Sequence, residues 1–169
     1  MFRSVALGLS VLCLLAATPA FAAPELIGKF GSWTVYTFME DGAKVCFMSA
    51  SPEKSEGKYT KRGPVYAMIT QRPKDGSQDA FSYMTGYEYR KGGEVTITVD
   101  GQKFVLYGDG EIAWTTDADA DGKLAGALRK GSKMVVKGIS ARGTETTDTF
   151  SLKGSGAAHD ATRKECGVK

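Results

Sequence analysis

The sequence predicts an all-β fold: an antiparallel β-sandwich of about nine strands with one or two short helices, closed by one disulfide. Three observations carry this expectation. Short runs of β-branched and aromatic residues alternate with turn clusters, at the spacing of sandwiches rather than of βαβ units. The first residues read as an export signal, which sends the rest of the chain to an oxidising compartment. Two cysteines, Cys46 and Cys166, remain as a pair once that signal is removed.

Residues 1–22 carry a basic Arg3, an apolar run over 5–17 and the small-x-small site Ala20-Phe21-Ala22 behind Pro19, so cleavage is expected after Ala22. The apolar run is 13 residues long, and a helix crossing a bilayer needs about 20. The processed chain, residues 23–169, is therefore expected to have no transmembrane segment and to be periplasmic or secreted. Cys13 lies in the discarded part, and Leu12 stands where a lipidation site wants Gly or Ala.

Cleavage removes Arg3 alone among the charged residues. It leaves 21 Lys and Arg against 19 Asp and Glu, a net charge of +2. Both signs are interspersed with no block of five like charges, a pattern that gives no nucleic-acid or anionic-lipid surface. A length near 150 residues suits a single domain that buries roughly 70% of its unfolded surface, and no Pro- or Ser-rich linker divides it.

In chain order, residues 33–38 and 44–49 form strands flanking a hairpin turn at Glu40-Asp41-Gly42. Strands follow at 65–70 and 80–86. Residues 95–99 alternate apolar and polar side chains, which puts Val95, Ile97 and Val99 on one face. Asp100-Gly101 then supplies the two positive-φ positions of a type I′ turn before 103–107 resumes the pattern. Further strands are expected at 111–115, 134–139 and 146–152. Leu124 and Leu128, with acidic residues before them and Arg129-Lys130-Gly131 after, mark a short helix. A second helix covers 157–165 behind Ser155. A Cys46–Cys166 bridge would enclose 121 residues and fasten the end of that helix to an early strand. Neither cysteine has the close C-x-x-C spacing of a metal or redox site.

Asp117, Asp119, Asp121 and Gly122 match positions 1, 3, 5 and 6 of a calcium loop. Position 12, which should supply a bidentate Glu, is Leu128, so the stretch reads first as an acidic turn capping the following helix. His159 is the single histidine. Any histidine-based mechanism must pass through it, and its polar, Ala-rich surroundings make it a surface residue. No G-x-G-x-x-G or phosphate-cradling loop follows a strand, and no catalytic constellation or cofactor is expected. Phe81, Tyr83, Tyr87 and Tyr89 form an aromatic stripe at spacing two, read first as sandwich core and second as a face for a peptide or glycan. Trp33 and Trp114 are read the same way.

The stretch from Gly131 to Thr144, with Arg142-Gly143-Thr144 at its end, leads into Asp148-Thr149-Phe150-Ser151-Leu152-Lys153-Gly154. It resembles the C-terminal half of invasion-associated locus B proteins. Trp33, the cysteine of Lys44-Val45-Cys46, Arg62-Gly63-Pro64-Val65-Tyr66, Trp114 and Cys166 fall in the order that this family shows. The resemblance spans residues 31–166. It implies an exported alphaproteobacterial β-sandwich protein with no established enzymatic activity, whose relatives are in some cases linked to invasion of host cells. It implies no catalytic residues.

Residues 140–144 read as a polar turn between two strands that exposes Arg142 and orders its backbone through Ser and Thr hydroxyls. Arg142, Thr144 and Asp148 are the candidate surface-binding residues, with Arg142 and Asp148 able to form a bidentate ion pair or an anion site. The expected function is that of a non-catalytic envelope or secreted protein that binds another protein. The alternative is a periplasmic protein that binds a small ligand or calcium.

Overall fold

The computed structural model describes residues 23–168. The export signal expected over residues 1–22 lies outside them. Among the described residues the chain forms eleven strands: β1 (Glu25–Phe30), β2 (Trp33–Glu40), β3 (Ala43–Ala50), β4 (Lys54–Gly57), β5 (Tyr66–Arg72), β6 (Ser77–Met84), β7 (Glu94–Val99), β8 (Gln102–Asp109), β9 (Ile112–Trp114), β10 (Lys133–Ile139) and β11 (Glu145–Ser151). Two α-helices, α1 (Ala118–Lys130) and α2 (Ser155–Glu165), and a 3-10 turn at Pro73–Asp75 complete the fold.

The strands hydrogen-bond in the order β1-β2-β3-β5-β6-β9-β8-β7-β10-β11-β4, every pair antiparallel. This continuous sheet folds over on itself. Tyr83 of β6 meets Phe150 of β11 edge to face, with ring centroids 6.1 Å apart, and the Trp33 indole of β2 donates to the Ser151 carbonyl of β11 at 3.1 Å. The layers of the antiparallel sandwich are thus two halves of one sheet. The about nine strands expected become eleven because β1 and β4 sit at the two edges. β4 reads Lys-Ser-Glu-Gly and is exposed throughout, so it has no buried face to leave a periodic trace.

Alternation sets the inner face. Val95, Ile97 and Val99 are buried on β7, as expected, and Thr146, Asp148 and Phe150 are buried on β11. Both hairpin turns are type I′, with φ of 49° and 74° at Asp41 and Gly42 and 45° and 96° at Asp100 and Gly101. Asp100 also accepts from the backbone N–H groups of Ser132 and Lys133 at 2.7 and 3.1 Å, which ties this turn to the start of β10. Helix α1 buries Leu124, Ala125 and Leu128. The Cys46–Cys166 disulfide, with its Cα atoms 5.8 Å apart, joins β3 to the end of α2.

The acidic run at Asp117 divides its carboxylates among three tasks. Asp117 caps α1 by accepting from the Ala120 N–H at 2.9 Å. Asp119 lies in the first turn and pairs with Lys123 at 2.6 Å, exposed to solvent. Asp121 turns toward the sheet and accepts from the Phe81 N–H at 2.7 Å and the Thr115 hydroxyl at 2.6 Å. Each of the three carboxylates named for the calcium-loop alternative thus has its own partner within the protein: the Ala120 N–H, Lys123, and the Phe81 N–H with the Thr115 hydroxyl. Asp121→Ala is expected to lower the stability by about 1–2 kcal/mol through the stranded Phe81 N–H. Asp119→Ala should change it by less than about 0.5 kcal/mol. Urea denaturation of the two variants measures the contrast.

Candidate functional site: a cleft floored by a buried ion pair

Asp148 takes the inward position of β11 between Thr146 and Phe150, and its side chain is 1% exposed. An ionised carboxylate there needs partners. Its partner is Arg62, from the segment that leads from β4 to β5, and not Arg142, the pairing considered from sequence. Arg62 Nη1 donates to Oδ1 at 2.8 Å and Nη2 to Oδ2 at 2.7 Å, a bidentate fork. The Tyr83 hydroxyl donates to the same Oδ2. Arg62 Nε donates to the Thr85 carbonyl at 2.7 Å and Nη2 reaches the Thr85 hydroxyl at 3.2 Å. The rings of Tyr59 and Tyr87 stack near the guanidinium, with centroids 5.6 and 5.1 Å from its central carbon.

Electrostatics locks these charge states. Burial lowers the affinity of Arg62 for its proton, but the hydrogen bonds and charge of Asp148 outweigh it and hold the guanidinium above its ordinary range. Burial, and then the charge of Asp148, push the Tyr83 phenol up, so it stays a neutral donor.

The segment bearing Arg62 crosses the end of the sandwich as a strap. Gly63 N–H donates to the Gly86 carbonyl at 2.9 Å. A Cβ at Gly86, where φ is 73°, would lie 2.5 Å from the Gly63 oxygen, so the crossing requires glycine there. On the far side stands the β10–β11 turn. Ser140 N–H donates to the Thr144 carbonyl at 2.9 Å, Gly143 N–H to the Ser140 carbonyl at 2.8 Å, and Thr144 N–H to the Ser140 hydroxyl at 3.1 Å. This is the hydroxyl-ordered turn that the sequence suggests, with Arg142 exposed on it.

Between strap and turn lies a cleft of about 570 Å³, within the roughly 300–1,000 Å³ of ligand-binding sites. Lys58, Tyr59, Lys61, Arg62 and Gly63 line one side, Ser140, Arg142, Thr144 and Thr146 the other, and Gly86, Tyr87, Glu88 and Glu111 the rest. Of the three sequence-chosen residues, Arg142 and Thr144 line the cleft, while Asp148 lies beneath it, held by Arg62. Lys58, Tyr59 and Lys61 were missed, while Tyr87 comes from the aromatic stripe whose second reading was a binding face. One signal was available: an acid at an inward position of Thr146-x-Asp148-x-Phe150 demands a buried cation.

The sequence model of the invasion associated locus B (IalB) protein family matches residues 33–163. The chain belongs to this family. The crystal structure of invasion associated protein B from Bartonella henselae is similar in fold, with a TM-score of 0.54 at 18% identity over 85% of this chain and 99% of that one. No curated protein matches the chain significantly. Of the residues on which the IalB resemblance rests, Arg62, Gly63, Arg142 and Thr144 line the cleft, while Trp33 and the Cys46–Cys166 bridge belong to the core and its closure.

A second polar cluster lies beneath α2, and it corrects the surface assignment of His159. That residue is 2% exposed, with Nε2 2.7 Å from Asp79 Oδ1. Arg163 Nη1 bonds Asp79 Oδ2 at 3.1 Å, and Gln71 both donates to Oδ1 at 2.5 Å and accepts from the Asp79 N–H at 3.0 Å. Asp79 has a φ of 56° where the β5–β6 register shifts between Thr70 and Arg72, and this bulge turns its carboxylate toward α2. Sequence gave no hint because Asp79 and His159 are 80 residues apart.

Burial favours the protonated acid, but the hydrogen bonds from His159 and Gln71 and the charges of His159 and Arg163 override it, lowering the Asp79 pKa to about 2. A folded pKa below the unfolded value of about 3.9 adds stability that is complete above that pH and is lost as pH falls toward 2. The urea midpoint is therefore expected to fall between pH 4 and pH 2. Asp79→Asn should remove part of that dependence and cost about 1–2 kcal/mol at pH 7. The remaining aromatics divide. Phe81, Tyr83, Tyr89 and Trp33 are core, but β6 ends at Met84, so Tyr87 and Tyr89 lie beyond the strand expected to carry them. Trp114 is half-buried and packs against the exposed Tyr107, centroids 5.8 Å apart.

Among the described residues no three His, Cys, Asp or Glu side chains stand where they could hold a metal ion. The buried Asp148 carboxylate is held by Arg62 and Tyr83, which suits a rigid base under a binding surface.

Proposed function

We propose that the chain is exported, loses residues 1–22, folds as a single domain over the remainder, and works in the periplasm or outside the cell by binding another protein at the cleft. Arg142 and Thr144 supply contacts, and Asp148 holds the strap that forms the opposite wall. The observation that carries this reading is the convergence of two segments, some 80 residues apart in sequence, on one concave surface with a rigid floor. Solvent-exposed polar and aromatic groups on a rigid support characterise binding sites. Among the described residues no helix is long and apolar enough to cross a membrane. The family's association with invasion makes a host component one class of partner and an envelope protein the other.

Co-purification tests the proposal. Tagged protein recovered from envelope extract and from host-cell lysate should retain a specific partner that Arg142→Glu releases and Lys137→Glu, on an exposed site outside the cleft, does not. A partner retained equally by both variants, or none in repeated trials, would contradict it.

A further inference from the structure

We infer that the cleft takes an extended acidic segment of the partner protein, its carboxylates set against Lys58, Lys61 and Arg142. This rests on the protein-binding reading above and supplies the chemistry of the partner.

The floor cannot supply the attraction. Arg62 is neutralised by the Asp148 carboxylate, bonds Thr85 as well, and lies against the Tyr59 and Tyr87 rings. The net charge of the site therefore comes from its rim. There, Lys58, Lys61 and Arg142 make no ion pair among the described residues; other surface cations such as Lys133 and Lys137 are likewise unpaired, but these three gather around one recess. The cations sit on both walls, Lys58 and Lys61 on the strap and Arg142 on the turn, so a chain lying between them meets positive charge on either side. The Tyr59 ring, 38% exposed, adds an apolar surface on which a peptide backbone can rest.

The rest of the lining carries Glu88 and Glu111. A flat sheet of lipid phosphates would meet these acids together with the cations, and it cannot enter a recess. A peptide can place acids opposite the cations and leave uncharged residues opposite the glutamates. Fixed walls make such discrimination effective: the Ala141 N–H donates to the Glu88 carbonyl at 2.7 Å, linking turn to loop, and the strap is pinned by Arg62. Rim charges act chiefly on encounter rate and selectivity and are screened by salt, so the isolated segment should bind weakly and electrostatically.

The test is calorimetric titration of the purified protein with an acetylated octapeptide of alternating glutamate and serine, at low and at high salt. Saturable binding at low salt is expected, weakened at least tenfold by Arg142→Glu, largely kept by Arg142→Lys, unchanged by Lys137→Glu and lost at high salt. Circular dichroism should show the folded spectrum for each variant, since Arg142 is exposed in a turn. Phosphatidylglycerol vesicles should sediment no protein. Binding insensitive to Arg142→Glu, or vesicle binding that depends on Arg142, would overturn the inference. Absence of peptide binding while partner co-purification still depends on Arg142 would overturn the acidic segment and spare the protein-binding reading; failure of both would remove both.

Discussion

Asp148→Ala is expected to destabilise the protein by about 3–5 kcal/mol, the usual result of removing one member of a buried ion pair. Arg62, 5% exposed at its side chain, would be left with a guanidinium deprived of its carboxylate, and the Tyr83 hydroxyl would lose its acceptor. The loss should be local as well as global. The strap is pinned through Arg62, so its Lys58 and Lys61 should become early sites of tryptic cleavage in the variant and resist it in the parent. Replacing both partners with leucine should recover much of the loss, because an apolar pair leaves no stranded charge. Urea denaturation of the two single variants and the double variant gives the coupling. A cost below about 1 kcal/mol for Asp148→Ala would show that the pair does not anchor the strap.

Removal of the disulfide has an effect of similar size by a different route. Cys46 and Cys166 are 120 residues apart, and closing so long a loop removes unfolded-chain entropy equivalent to about 4–5 kcal/mol, with measured bridges often nearer 2–4. Reduction, or the double replacement Cys46→Ala with Cys166→Ala, is expected to lower Tm by about 10 °C on the scale of 2–4 °C per kcal/mol for a chain of this size. The helix α2 remains attached at its middle through His159 and Arg163 to Asp79 and through Arg129 and Asp160 to α1. Amide exchange should therefore rise first in the last turn of α2. An unchanged melt after complete reduction would contradict the account of the bridge.

The parts of this fold that were legible in the sequence share one property: the information is local. Asp41-Gly42 and Asp100-Gly101 name their turns because an Asp-Gly pair tolerates positive φ at both positions. β7 shows itself by alternation, and α1 by Leu124, Leu128 and its acidic start. The disulfide follows from there being two cysteines outside residues 1–22. What was not legible depends on distant partners. Nothing near His159 announces Asp79, and nothing near Asp148 announces Arg62, 86 residues away. Arg142, six residues from Asp148, was the nearer choice, but the turn holds it exposed while Asp148 points inward. Edge strand β4, polar on every residue, has no pattern to read. The site was half legible: Arg62, Arg142 and Thr144, among the residues that carried the family resemblance, line the cleft, but which residues touch solvent and which support the floor is decided by the folding of the sheet.

Photo-crosslinking tests the central claim, that the cleft is where a partner docks, more directly than any other measurement. A photoreactive amino acid would replace Thr144 inside the cleft or Lys137 outside it, and the exported protein would be irradiated in living cells. The account predicts a discrete adduct from position 144 that is absent at position 137 and lost when Arg142→Glu is added. Equal labelling from both positions, or an adduct at 137 alone, would place the partner elsewhere on the molecule.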